Sequence, residues 1–163
     1  MLFRSGTVFV GQHRLTGKEA APITAPVRRL YLCEDSSTPR PASVQIHARV
    51  RDLIRSAELI CYPMGSFYSS LIANLLPRGV GEAVSSLECP KIYVPNTGTD
   101  PESRGLDPNR QTEILLSYLK ADAPERIENR QVLTAVLVHR ERGDYAVPVD
   151  VGHDDPEPFI HFF

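Results

Sequence analysis

A short apolar strand followed by a Gly/Ser turn constrains this chain more than any other feature. The apolar residues 59–62 stop at Pro63, which lacks the amide hydrogen that a central strand needs. After the turn, Phe67, Leu71 and Leu75 recur every four residues, which is the spacing of one helix face. The pattern therefore predicts a strand, a tight turn and a helix, in that order.

This order of elements predicts an anion site at the start of the helix. The first backbone N–H groups of a helix have no partner within it, and they lie at the positive end of its dipole. Serine hydroxyls add further donors. We predict that the phosphate-binding residues are Gly65, Ser66, Tyr68, Ser69 and Ser70. A capped helix start that binds nothing is the alternative.

A second polar turn follows the next predicted strand, residues 91–94. Because ligands of open α/β sheets bind beyond the carboxyl ends of the strands, we expect turns 64–70 and 96–103 to share one edge. Asn96, Thr97 and Thr99 can donate to a phosphate or a hydroxyl. A loop whose side chains bond its own backbone is the alternative. Asn74, on the predicted helix, either faces the same edge or packs internally.

The alternation of predicted strands and helices over residues 27–138 indicates the α/β class. We predict a Rossmann-like, open, mainly parallel sheet with helices on both faces. The predicted strands are 27–33, 91–94, 132–138 and 145–151, besides the one at residues 59–62. A first predicted helix has Ser43 as N-cap and places Ile46, Val50, Leu53, Ile54 and Ala57 on one face. A second places Val80, Val84 and Leu87 on one side, and a third, 107–120, places Ile114, Leu115, Tyr118 and Leu119 inward.

Composition and charge narrow the class of partner. With 163 residues and a net charge of −2, the chain fits one domain and lacks the basic excess typical of nucleic-acid binding. No apolar run approaches a membrane span. The odd number of cysteines, without paired spacing, predicts reduced, buried thiols in a cytoplasmic protein. The histidines are scattered, so we predict no metal site. The sequence leaves open whether the protein forms a homodimer.

Three sequence blocks, YPMGSFYSS, IANLLPRGVGEAV and IYVPNTGTDPES, resemble in this order the blocks of one family. That family is the 2-phospho-L-lactate transferase (CofD-like) family, which includes the gluconeogenesis-factor regulators. The likeness covers residues 6–139, although Tyr62 and Met64 stand where the family has glycine. The resemblance implies that the first block lines a nucleotide and phosphate cleft. It also matches Asn74 and Asn96 to family positions.

The resemblance implies two functions. One is transfer of a phospholactyl-type group from a nucleotide-diphospho donor, chemistry that usually involves a divalent cation. The other is a non-catalytic regulator that binds a nucleotide-sugar. The family's N-terminal half, with its glycine-rich loop and acidic residues, has no counterpart here. We therefore expect an incomplete fold, no cofactor within this chain, and Mg²⁺ only in the complete family site.

The same comparison sets the predicted domain limits. Residues 6–151 are interpreted as the C-terminal part of a CofD-like domain, and residues 152–163 as a tail. Residues 1–5 are interpreted as an artefactual or disordered start, because residues 2–5 match the peptide that the end of a common sequencing adapter would encode.

Overall fold

The fold contains two sheets, and the larger one is open and parallel. The structure, a computed structural model, describes residues 1–11, 25–35, 37 and 40–139, and the backbone of residues 159–162. A small antiparallel sheet pairs β1, Leu2–Phe3, with β2, Val27–Arg29. The larger sheet has four parallel strands in sequence order: β3 (Ile60–Tyr62), β4 (Lys91–Tyr93), β5 (Ala135–Val138) and β6 (Phe159–Phe162). The predicted open, parallel α/β sheet is confirmed.

Helices pack between and beside these strands. They are α1 (Ala48–Arg55), α2 (Val80–Ser85), α3 (Pro108–Leu119) and α4 (Asn129–Val132). Helix α2 contacts the other three. Helix α3 begins where the sequence predicts, because the Asp107 side chain accepts the backbone N–H of Arg110 at 2.7 Å and Pro108 occupies the first turn. Its predicted inward residues Leu115 and Leu119 are fully buried.

The core includes residues of β3, β4 and β5 and of α2, α3 and α4. Val132, Leu133 and Val136 are fully buried. Tyr62 reaches across from β3, and its hydroxyl donates to the Val132 carbonyl at 2.8 Å. Lys91 is also buried, at 2% exposure, and its ammonium group donates to the backbone carbonyls of residues 87 and 89 at 2.5 and 2.9 Å. These bonds satisfy a charge that burial would otherwise penalise.

The prediction for the helix of residues 43–57 is partly wrong. Ile46 is buried, but Val50 and Leu53 of the predicted apolar face are 45% and 62% exposed. The helix is shorter than predicted and begins after His47 rather than at Ser43, because His47 Nδ1 accepts the Arg49 N–H at 3.2 Å. None of the helix's own residues is fully buried, and of its apolar residues only Ile54 packs against the core, so the core-facing side is narrower than predicted.

The helix predicted after the Gly/Ser turn has a different form. A π-helical turn, Phe67–Leu71, is followed by a 3₁₀ segment, Ile72–Leu75. The Ser66 carbonyl accepts from both Ser70 N and Leu71 N, at 2.9 and 3.2 Å, so the wider i→i+5 bond competes with the α-helical one. Phe67 and Leu71 nevertheless face inward as predicted.

The N-terminal segment departs from the predicted parallel order. Strand β2 lies outside the larger sheet, so the strand predicted at 27–33 is shorter and pairs antiparallel with β1. Phe3 of β1 is buried; the interpretation of residues 1–5 as an artefactual start stays a prediction. The strand predicted at 145–151 lies outside the described residues, and the segment predicted as a tail contains β6.

The cysteines are all free, but they are not buried as predicted. Cys61 is exposed on β3, and Cys33 and Cys89 are half-buried. Cys61 alternates outward on β3, while the neighbouring Tyr62 points into the core. No helix among the described residues is both long and apolar enough to cross a bilayer.

Candidate functional site

The two polar turns meet at the carboxyl ends of β3 and β4. The Asn96 side-chain amide holds Gly65 on both sides: Asn96 Oδ1 accepts the Gly65 N–H at 2.8 Å, and Asn96 Nδ2 donates to the Gly65 carbonyl at 2.7 Å. The prediction that both turns share one edge of the sheet is confirmed. Asn96 thereby has a positioning role, because its polar atoms are used within the protein.

Two buried carboxylates of the second turn hold the start of the π-helical turn. We call Asp100 and Glu102 the carboxylate clamp. Asp100 Oδ2 accepts the Phe67 N–H at 2.8 Å. Glu102 Oε2 accepts the N–H groups of Tyr68 and Ser69 at 2.9 and 2.7 Å, and its Oε1 accepts the Ser69 hydroxyl at 2.6 Å. The clamp residues are 8% and 5% exposed, respectively.

The clamp changes the interpretation of the predicted anion site. The N–H groups expected to be free for a phosphate, at residues 67–69, already bond to carboxylates of the protein. A bound phosphate there would displace these bonds and meet like charge. The donors that remain near the turn include the hydroxyls of Ser66, Ser70, Thr97 and Thr99. The assignment of phosphate binding to these residues stays a prediction.

Sequence analysis missed the clamp, although a signal was present. Asp100 stands before Pro101, the arrangement of an N-cap followed by proline in a first turn. In the structure Asp100 Oδ1 accepts the Glu102 N–H at 3.1 Å and starts a short 3₁₀ helix, Pro101–Ser103. That turn aims both carboxylates at the neighbouring strand's turn, a long-range pairing that local sequence does not encode.

An open cleft of about 330 Å³ lies between the two turns. We call it the rim cleft. It brings together five of the predicted residues, and its lining is Met64, Gly65, Ser66, Asn96, Thr97, Gly98, Thr99, Asp100 and Pro101. Among the described residues, none forms a hydrogen bond with the hydroxyl of Ser66, Thr97 or Thr99. These hydroxyls are therefore available to a ligand.

An apolar cleft of about 260 Å³ adjoins the rim cleft and shares Met64 and Gly65 with it. Its walls come mainly from β3, the 3₁₀ segment and α2. The predicted residues Ser70 and Asn74 also line it. Asn74 Nδ2 donates to the Ser70 carbonyl at 2.6 Å, so this amide supports its own turn.

Tyr68 and Ser69 lie apart from the other predicted residues. The Ser69 hydroxyl bonds to the clamp, and its residue lines a separate cavity beside Met1. The Tyr68 ring packs edge-to-face on Phe67, with centroids 5.0 Å apart, and lines a third cleft. Burial raises the pKa of Tyr68 to about 12. The structure therefore distributes the predicted set among several sites.

The clamp does not fit a divalent cation. Each of its four carboxylate oxygens accepts at least one hydrogen bond from the protein. Magnesium would need these oxygens as ligands. No group of three or more His, Cys, Asp or Glu side chains that could hold a metal occurs among the described residues. The clamp oxygens are therefore used in holding the two turns together.

An open parallel sheet with a cleft between the turns beyond two adjacent strands defines an α/β protein, and this edge of such sheets is where ligands commonly bind. The family model of "2-phospho-L-lactate transferase CofD" matches residues 1–155. The chain belongs to the CofD family, which confirms the resemblance carried by the three sequence blocks.

Curated relatives and a solved structure resemble this chain in sequence and in fold, respectively. A putative gluconeogenesis factor of Nostoc is 32% identical over 110 residues, covering 64% of this chain and 22% of the relative. The gluconeogenesis factor of Bacillus subtilis is 33% identical over 75 residues, covering 46% and 22%. A crystal structure of a UPF0052 family member from Bacillus halodurans has a TM-score of 0.60 at 20% identity, covering 84% and 38%. This chain thus spans less than half the length of these proteins.

Proposed function

We propose that this chain binds a nucleotide or a related phosphoester across the rim cleft and the apolar cleft. The observation that carries the proposal is their adjacency, since the two clefts share Met64 and Gly65. The rim cleft offers hydroxyls that bond to no described residue, and the apolar cleft offers an apolar wall. A nucleotide has the same two parts, a polar phosphate–ribose portion and a flat, largely apolar base. Small-molecule sites typically combine apolar walls with a few polar groups in this way.

The contacts we propose differ from those of a standard helix N-terminus. Because the clamp uses the N–H groups of residues 67–69, hydroxyls of Ser66, Thr97 and Thr99 would donate to the phosphate oxygens. Gly98 leaves the loop backbone open, since a Cβ built there meets no atom within 4 Å. A ligand can therefore approach the main chain closely at this point.

The family name suggests transfer of a phospholactyl-type group from a nucleotide-diphospho donor. Such transfer depends on positioning and on neutralising the phosphate charge. The rim cleft contains no lysine or arginine in its lining. We therefore propose that the described residues contribute ligand binding, and that charge neutralisation would have to come from outside the rim cleft.

A second candidate is a non-catalytic, gluconeogenesis-factor-like regulator that binds a nucleotide-sugar. Two observations favour it: the names of the relatives from Nostoc and Bacillus subtilis, and the lack of a cationic side chain in the rim cleft. A nucleotide-sugar presents many hydroxyls, and these suit a cleft lined by serine and threonine.

Isothermal titration of the 163-residue chain with guanosine diphosphate and with a uridine-diphospho sugar tests the proposal. The variant Ser66→Ala with Thr99→Ala removes two hydroxyls that bond to nothing described, and we expect it to weaken binding by about 1–3 kcal/mol. Ser56→Ala, an exposed serine at the end of α1, is the matched control and should leave the affinity unchanged.

The preferred ligand separates the two candidates. Tighter binding of guanosine diphosphate supports the transferase function, and tighter binding of the sugar nucleotide supports the regulator. If neither ligand binds, or if both bind the double variant as tightly as they bind the wild-type chain, the rim cleft is not the site.

A further inference from the structure

We propose that a second site, separate from the rim cleft, binds a small anion that carries two phosphoryl groups. This site is a cleft of about 440 Å³ between β2 and α3, which we call the arginine cleft. Four arginines line it, Arg4, Arg28, Arg29 and Arg110, and Tyr68 and Tyr118 contribute aromatic surface.

The charge in the arginine cleft is unbalanced. No aspartate or glutamate is among its lining residues. Arg110 pairs with Glu113 on the exposed surface of α3, whereas Arg4, Arg28 and Arg29 form no ion pair with any described residue. This concentration of positive charge occurs in a chain whose net charge is −2. Guanidinium groups bind phosphate through two parallel N–H bonds, so such a cluster suits a phosphoryl ligand.

A buried hydroxyl without a partner distinguishes this cleft from a solvated charged face. Tyr68 is only 3% exposed, yet its hydroxyl bonds to no described residue. Buried tyrosine hydroxyls usually have a partner. Tyr118 in the same cleft has one, since its hydroxyl accepts the Leu30 N–H at 2.8 Å and donates to the Leu30 carbonyl at 3.2 Å. The Tyr68 hydroxyl is therefore a donor for which a ligand would supply the acceptor.

The charges of two of the arginines act on the Tyr68 hydroxyl. Burial raises the pKa of this phenol to about 12, Tyr118 and the Glu102 carboxylate add to the rise, and the positive charges of Arg110 and Arg4 partly oppose it. The phenol therefore keeps its proton at neutral pH and can donate it in a hydrogen bond. A phosphate oxygen near the hydroxyl would lie within the field of both guanidinium groups, and their two positive charges would outweigh the single negative charge of Glu102.

The size of the cleft favours a diphosphate over a single phosphate. Its volume lies within the range of about 300–1,000 Å³ that is usual for small-molecule sites. An orthophosphate would leave most of the arginines without a partner. The arginine cleft and the rim cleft share no lining residue, so substitutions can alter one lining without changing the other.

Titration of the 163-residue chain with inorganic pyrophosphate tests this site. We expect the double variant Arg4→Gln with Arg110→Gln to raise the Kd about tenfold or more, because hydrogen bonds to charged groups are lost. Tyr68→Phe removes a hydroxyl that bonds to nothing described, so it should preserve the fold and raise the Kd about fivefold. Arg55→Gln, on α1 and outside every cleft described, is the charge-matched control.

The outcomes decide the proposal. Pyrophosphate binding that weakens in both arginine-cleft variants but persists in the Ser66→Ala, Thr99→Ala variant supports a separate diphosphate site. This conclusion holds whether or not the rim cleft binds a ligand. Failure of pyrophosphate to bind the wild-type chain would overturn it, as would equal binding by Tyr68→Phe and the control. Citrate binding as tight as pyrophosphate would overturn the assignment to phosphoryl groups. If the double variant does not fold by circular dichroism, Tyr68→Phe decides alone.

Discussion

Glu102 offers the sharpest test of how the two turns are held together. Its carboxylate is 5% exposed and receives bonds from two backbone N–H groups and one hydroxyl, all of Tyr68 and Ser69. Glu102→Ala removes the acceptor for all three donors. The Tyr68 N–H is buried and cannot turn to water, whereas Ser69 is half-buried and recovers part of its hydration.

The magnitude follows from these donors. A buried donor left without a partner costs about 1–3 kcal/mol, and partial hydration of Ser69 reduces its share, so we expect Glu102→Ala to lower the free energy of unfolding by about 2–4 kcal/mol. Glu102→Gln keeps one side-chain oxygen for the two N–H groups, so we expect a loss of about 1 kcal/mol. Glu125→Ala, in an exposed turn, is the control and should change stability by less than about 0.5 kcal/mol.

Urea unfolding followed by circular dichroism measures these differences through the midpoint and the slope of the transition. We expect the loss in free energy of unfolding to be largest for Glu102→Ala, smaller for Glu102→Gln and smallest for the Glu125→Ala control. If Glu102→Ala and Glu125→Ala unfold at the same urea concentration, the carboxylate does not hold the turn, and the reassignment of the anion site fails with it.

Two further predictions concern packing and pH. Gly81→Ala should destabilise by about 3 kcal/mol or more, because the new Cβ would lie 1.8 Å from the Leu119 carbonyl oxygen, whereas Gly98→Ala meets nothing and should unfold like wild type in urea. Burial raises the pKa of Tyr62, and that of Tyr68 to about 12, from the ordinary value of 10.0. Stability should therefore be intact below pH 10.0 and fall as the pH rises toward about 12, because only the unfolded chain ionises there. A urea midpoint that stays constant over this range would contradict the burial of both phenols.

Sequence periodicity predicted the parts of the fold that depend on local order. The strands at β3 and β4 and the helix α3 lie within a residue or two of their predicted limits, because apolar runs, proline and N-cap signals act within a few positions. The shared edge of the two turns was also predictable, since parallel connectivity determines where strand ends lie. The turns of residues 64–70 and 96–103 therefore came together as expected.

The parts that were missed depend on contacts between distant segments. The exposure of Leu53 could not be read from its helical spacing, because spacing identifies a stripe but not what covers it. The clamp joins residues 33 or 34 positions apart in sequence, and a Gly/Ser turn looks the same with or without it. The arginine cleft unites residues of β2, the π-helical turn and α3, whose individual charges resemble a solvated surface.

The buried Lys91 provides a chemical probe of how often the large sheet opens. Lys91 is 2% exposed at the start of β4, and its amine donates hydrogen bonds to two main-chain carbonyls. A water-borne acylating reagent can reach that nitrogen only while the strand is detached from its surroundings. The rate at which Lys91 becomes labelled, compared with that of the half-buried Lys120, thus reports how often the centre of the sheet comes apart under native conditions.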